Sequence, residues 1–95
     1  MSTWLFLRCD AHDPPLLSRA EVGQHLYDLP RVRAWLADPG SLRDPDQIEG
    51  EHWAGWPSCE PFWEMVTARF LASHPHCPIS IQDEHGETHS PKEAP

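Results

Sequence analysis

The stretch Arg8–Pro30, RCDAHDPPLLSRAEVGQHLYDLP, decides the fold. On its left it continues Thr3–Cys9, TWLFLRC, a run of β-forming and apolar side chains too short for a core helix. That run reads as a strand, buried on both faces along Trp4–Leu7. Pro14-Pro15 then stops regular pairing and imposes an extended connection. On its right, Ser18-Arg19-Ala20-Glu21 matches a capping box, in which the Ser and Glu side chains satisfy each other's free amides, with Leu17 and Val22 at staple positions. Val22, Leu26 and Leu29 follow at i, i+4 and i+7, one apolar stripe, and predict a helix over about 19–29. A strand followed by a capped helix points away from all-α and all-β folds.

Working outward, Asp28-Leu29-Pro30 restarts a second short helix over 30–37, with Val32, Trp35 and Leu36 as its apolar face. Residues 38–58 are rich in proline and glycine and show no sustained period, apart from short helical turns near 41–43 and 45–48. Ser58 caps a third helix over about 59–73, where Glu60 complements the helix dipole and Phe62, Val66 and Phe70 form a stripe with Trp63 and Leu71 beside it. His74-Pro75 closes it. Cys77–Asp83, CPISIQD, alternates as a strand with Ile79 and Ile81 on the core face; Glu84-His85-Gly86 turns the chain, and 86–89 returns as an edge strand. The expected fold is α+β: a small sheet of strands 3–9 and 77–83 plus the edge strand, covered on one face by the three helices. Residues 1–90 form one domain and 91–95 a frayed polar tail.

Composition narrows the function classes. The 95 residues carry 15 acidic against 7 basic side chains, a net charge of −8. That weighs against a nucleic-acid phosphate backbone as partner and favours a protein, if anything a basic one. A nucleic-acid mimic would need its carboxylates on one face, and here they are scattered. No run reaches the ~18–20 apolar residues that span a bilayer. The start, Met1-Ser2-Thr3-Trp4, lacks a basic region and a cleavage site, and three widely spaced cysteines at 9, 59 and 77 suit a reduced, cytoplasmic protein.

Two constellations could carry chemistry. Cys9-x-x-His12 has the spacing of metal ligands, and His74-Pro75-His76-Cys77 offers a second cluster at the mouth of the other strand. If the two strands pair antiparallel, Cys9, His12, His76 and Cys77 meet and suit a metal. If they pair parallel, Asp10, His12 and Asp13 converge instead with Asp83, Glu84 and His85, an oxygen-rich or acid–base set. A buried small hydrophobe is the plainer role for Cys9. Cys59, at a helix start, lacks the surroundings of a nucleophile, and His25 with Asp28 reads as a turn contact. The other constellation is Glu49–Pro57, EGEHWAGWP: Trp53 and Trp56, with His52, resemble an interface anchor with a polar rim, or else fold back over the thin core.

Several segments resemble a group of small uncharacterised proteins of actinobacteriophages and actinobacteria. They are Ser2-Thr3-Trp4-Leu5, His12-Asp13-Pro14-Pro15, Glu21–Leu29 (EVGQHLYDL), Phe70–Pro75 (FLASHP) and Ile81–Gly86 (IQDEHG). The resemblance covers both ends of the chain and brings no functional residues with it. It implies a protein made inside a GC-rich bacterial cell, acting without catalysis and without a cofactor by binding a host protein, either to modify host physiology or to exclude competing phage. The rival expectation is a metal-binding domain or metal-dependent enzyme on Cys9/His12 with His76/Cys77 or Asp83/His85. Self-association is compatible with either.

Overall fold

The computed structural model of the chain describes residues 3–51 and 60–92. Strand β1, Leu5–Cys9, buries Leu5, Leu7 and Cys9 completely, while Phe6 and Arg8 are half-buried on the opposite face. Trp4 is 43 % exposed. The strand therefore alternates, and the reading of Trp4–Leu7 as buried on both faces does not hold. Strand β3, Ile79–Asp83, pairs with β1 antiparallel, setting Leu5 opposite Asp83, Leu7 opposite Ile81 and Cys9 opposite Ile79. Two very short strands, β2 (Leu16–Leu17) and β4 (Thr88–His89), complete an antiparallel sheet in the order β2-β1-β3-β4.

The expected helix over 19–29 is absent. Residues 16–24 instead run along the free edge of β1. The Ser18 amide donates to the Leu7 carbonyl (2.8 Å), the Val22 amide to the Leu5 carbonyl (2.8 Å) and the Leu5 amide to the Gly23 carbonyl (2.9 Å). The Ser18 hydroxyl does not cap a helix. It accepts the Leu7 amide at 3.1 Å and donates to the Ala20 carbonyl at 2.8 Å. The physical reason is that β1's edge carries donors and acceptors that must be satisfied once buried. A capping box contributes about 1 kcal/mol, and Gly23 costs a helix about the same. Val22 is fully buried as expected, but Leu26, on the same notional stripe, is 49 % exposed.

Gly23 makes this path feasible. A Cβ there would lie 2.9 Å from Asp28 Cβ and 3.2 Å from Arg31 Nη2. Gly23→Ala is therefore expected to cost about 1–3 kcal/mol through overpacking. Urea denaturation measures it, and a midpoint equal to wild type would show that the segment yields freely.

After a 3-10 turn at Leu26–Asp28, helix α1 spans Leu29–Ala37 with Pro30 in its first turn, close to the expected 30–37. Val32 is fully buried, and Leu29 and Leu36 pack beside it against the core. A second 3-10 turn, Pro39–Ser41, leads to helix α2, Pro45–Glu51, within the stretch expected to be irregular, where the short turn at 45–48 was anticipated. Helix α3, Glu60–Ser73, buries Trp63, Met65, Thr67 and Phe70. Ile48 anchors α2 in the interior, while Arg69 of α3 pairs with Asp46 (3.2 Å) and Glu49. Glu64 is buried and satisfied by Arg43, accepting its amide at 2.9 Å and its guanidinium at 3.0 and 3.2 Å.

The core joins Leu5, Leu7, Cys9 and Ile81 of the sheet to Val22, Val32 and Phe70, with Val66, Cys77 and Ile79 at its margin. The opposite face of the sheet carries polar contacts beside Phe6: Arg8 reaches Gln82 (3.0 Å) and Asp10 (2.7 Å), and Ser80 donates to Asp10 (2.9 Å). The fold is thus α+β, with helices against one face of a small antiparallel sheet. Among the described residues no helix is long and apolar enough to cross a membrane.

Candidate metal centre

The antiparallel register settles which groups meet. Cys9 lies at the end of β1 nearest Cys77–Ile79, whereas Asp83 lies at the other end opposite Leu5. Asp10, His12 and Asp13 therefore do not converge with Asp83, Glu84 and His85, and the oxygen-rich arrangement is ruled out. Glu84 instead closes the far end, donating its amide to the Trp4 carbonyl (2.9 Å) and accepting the Trp4 amide (3.1 Å).

At the near end, two turns are clamped together. The Asp10 amide donates to the Pro78 carbonyl at 2.9 Å, and Ser80 holds the Asp10 carboxylate. The first turn carries His12. The second is the unwinding end of α3, where the His74 amide donates to the Leu71 carbonyl (3.2 Å) and the Cys77 amide to the His74 carbonyl (3.3 Å). Because the His74 amide has left the Phe70 carbonyl, the His74 ring takes its place, with Nδ1 2.9 Å from that oxygen. A carbonyl only accepts, so Nδ1 carries the proton and Nε2 keeps a free lone pair. The ring also stacks on Phe70, with centroids 4.3 Å apart, and meets the His12 ring edge-on at 5.8 Å.

The consequence is a cluster: one ligand atom each from Cys9, His12 and His74 lies within 4.8 Å of the others. Cys9 is buried, His74 half-buried and His12 exposed, so the cluster opens outward on one side. Cys77 packs at the margin of the core that holds Cys9; burial pushes its pKa up, and the Cys9 thiol adds to the rise. Of the four residues read from sequence as ligands, the fold brings Cys9 and His12 together and puts Cys77 against Cys9. It leaves His76 outside the cluster, exposed and in the left-handed region with φ of 64°. His74 takes the place expected of His76. A signal for it was present, since His74-x-x-Cys77 mirrors the spacing of Cys9-x-x-His12.

His76 is then the third residue of the turn His74–Cys77, in a conformation that favours glycine. His76→Gly is expected to stabilise the fold by about 0.5–1 kcal/mol, the relieved strain exceeding the added chain entropy. A thermal melt measures this; a lower Tm would assign His76 a role beyond the turn.

A second group, Asp83, Glu87 and His89, also lies within 4.8 Å. Its buried member is already satisfied. Asp83 Oδ1 accepts the His85 and Glu87 amides at 2.9 and 3.0 Å, and Oδ2 lies 2.9 Å from His89 Nε2. Those contacts organise the hairpin between β3 and β4, where Gly86 adopts φ of +86°. Asp83 and His85 are thus turn residues, and His85 contributes its amide. His25 likewise offers its amide to Asp28 (3.1 Å), and its ring stacks on Tyr27. His52, Trp53, Trp56 and Cys59 lie outside the described residues.

Beside the Cys9–His12–His74 cluster, a groove of about 800 Å³ runs between β2 and α3, lined by Leu16, Leu17, Met65, Val66 and Phe70, with His74 in its wall. No protein-family model, no curated protein and no solved structure matches the chain.

Proposed function

We propose that this chain binds one transition-metal ion of the zinc class through Cys9 Sγ, His12 and His74 Nε2. The observation that carries the reading is the mutual approach of one ligand atom from each of these residues to within 4.8 Å. Around a tetrahedral zinc, sulfur and nitrogen ligands stand roughly 3.4–3.8 Å apart, so a contraction of at most about 1.4 Å completes the geometry. One thiolate with two imidazoles is a borderline-soft donor set that suits zinc over magnesium or calcium. The Phe70 carbonyl supports the reading further, because a ligating histidine characteristically donates its other N–H to such an acceptor, fixing ring and tautomer. The ion would join the end of β1 to the end of α3, elements otherwise connected through a thin core.

Elemental analysis after exposure to zinc and exhaustive dialysis is expected to return one equivalent per chain. Zinc at about a hundred times its Kd is expected to add about 2.7 kcal/mol, raising Tm by about 10 °C or more, and chelator to reverse the rise. His74→Ala is expected to abolish the effect and His76→Ala to preserve it. A metal-free protein whose melt ignores both zinc and chelator would overturn the reading.

A second reading is contact with a host-cell protein, the role the resemblance to phage and actinobacterial proteins implies. It is favoured by Leu16, Leu17, Leu26 and Tyr27, all exposed within residues 16–27. Capture from actinobacterial lysate should then yield a partner that a Leu17→Asp, Tyr27→Ala variant loses without any change in melt. Identical captures by the two chains would remove this reading.

A further inference from the structure

We infer that Cys77 is the fourth ligand of the proposed centre, closing it as a Cys2His2 site that leaves no coordination position for a substrate. This rests on the metal reading above and says what kind of site it is. Three protein ligands with an open fourth position characterise catalytic zinc, and four characterise structural zinc, so the identity of the fourth group separates the two roles.

Three observations converge on Cys77. First, the ligands come in two pairs of equal spacing, Cys9-x-x-His12 and His74-x-x-Cys77, each pair on one turn. Second, those turns are clamped directly, by the Asp10 amide on the Pro78 carbonyl at 2.9 Å and by Ser80 on Asp10, so the residue next to Pro78 is held at the cluster. Third, the Cys77 side chain packs at the margin of the core that contains Cys9. It does not belong to the group within 4.8 Å, which holds Cys9, His12 and His74. Rotation about χ1 swings a cysteine sulfur by roughly 3 Å between rotamers, and half-buried Cys77 has one side open for that movement. Metal binding would therefore draw Cys77 from the core margin onto the ion, both thiols losing their protons to solvent. The competing arrangement leaves Cys77 off the metal and the fourth position open to the groove whose wall includes His74.

Cobalt(II) substituted into the full chain distinguishes them by its visible spectrum. Wild type is expected to show a tetrahedral envelope with charge transfer from two thiolates, unchanged by added azide. Cys77→Ser should lose about half of the charge-transfer intensity, become sensitive to azide and bind zinc at least about tenfold more weakly. A wild-type spectrum that azide perturbs, or a Cys77→Ser spectrum equal to wild type, overturns the assignment of Cys77 while leaving the three-ligand reading standing. Absence of cobalt and zinc uptake by wild type overturns both. Should Cys77→Ser fail to fold, alkylation of the wild-type chain decides the matter. Zinc is expected to slow iodoacetamide modification of Cys77, mapped by mass spectrometry, at least about tenfold, and equal rates with and without zinc overturn the assignment.

Discussion

Asp28→Ala is expected to cost about 3–5 kcal/mol, much of the stability of a chain this size. Asp28 is 8 % exposed and accepts three hydrogen bonds: the Gln24 amide at 3.0 Å, the His25 amide at 3.1 Å and Arg31 Nη1 at 2.9 Å. It thereby holds the end of the β1 edge segment onto the start of α1. Its guanidinium partner is committed as well, with Nη2 donating to the Val22 carbonyl at 2.7 Å and the plane set between the rings of Trp35 and Trp63 at 5.0 and 4.7 Å. Arg31 Nε is buried without a hydrogen-bond partner among the described residues. Removing the carboxylate leaves a largely buried positive charge uncompensated, which is the costly case for a buried pair. Replacing both members should cost far less. Asp28→Ala with Arg31→Met is expected to recover at least about 2 kcal/mol relative to the single variant in urea denaturation. A single variant that costs under about 1 kcal/mol would show that solvent, not Asp28, balances Arg31.

Asp83→Ala comes second, at about 2–4 kcal/mol, because it strips partners from the His85 and Glu87 amides and from His89 inside the β3–β4 hairpin. This effect carries a pH signature. Burial pushes the Asp83 carboxyl up, but the hydrogen bonds from His89, the Glu87 amide and the His85 amide, together with the His89 charge, outweigh it and hold the pKa below its ordinary value of 3.8. A carboxyl whose pKa is lower in the folded state than in the unfolded one stabilises the fold above the unfolded value. That stability is lost as pH falls through the folded value. The stability gap between wild type and Asp83→Asn should therefore be fully developed above about pH 5 and shrink below 3.8, as protonation removes the wild type's advantage. Denaturation midpoints at several pH values give the curve, and a gap independent of pH would assign the effect to shape alone.

Neither residue stood out as a structural keystone in the sequence. Asp28 reads locally as helix punctuation and Asp83 as the end of a strand. What makes them costly to lose is burial together with partners that the fold delivers: Val22 and the two indoles to Arg31, and the returning β4 strand to Asp83. The candidate site was half legible for a similar reason. Cys9-x-x-His12 is a local pattern, and the fold keeps it. The choice between His74 and His76 depends on how α3 unwinds. His74 directly follows the last helical residue, where its ring can replace a lost amide at the Phe70 carbonyl, and His76 takes the left-handed position of the turn that follows.

By itself, the sequence determined the elements whose side-chain period reports one buried face. The β-forming run Thr3–Cys9 and the alternation of Ile79 and Ile81 mark the two central strands, Val32, Trp35 and Leu36 mark α1, and Phe62, Val66 and Phe70 mark α3. Together these specify an α+β fold. Only the tertiary structure decided the antiparallel register that sets Cys9 beside Cys77, and the path of residues 16–24. There a capped amphipathic helix was the better local solution and lost to the unpaired edge of β1. Periodicity reports what a segment can bury, whereas backbone groups on a strand edge must be satisfied by whatever chain lies alongside, and that demand is not written in the segment that meets it.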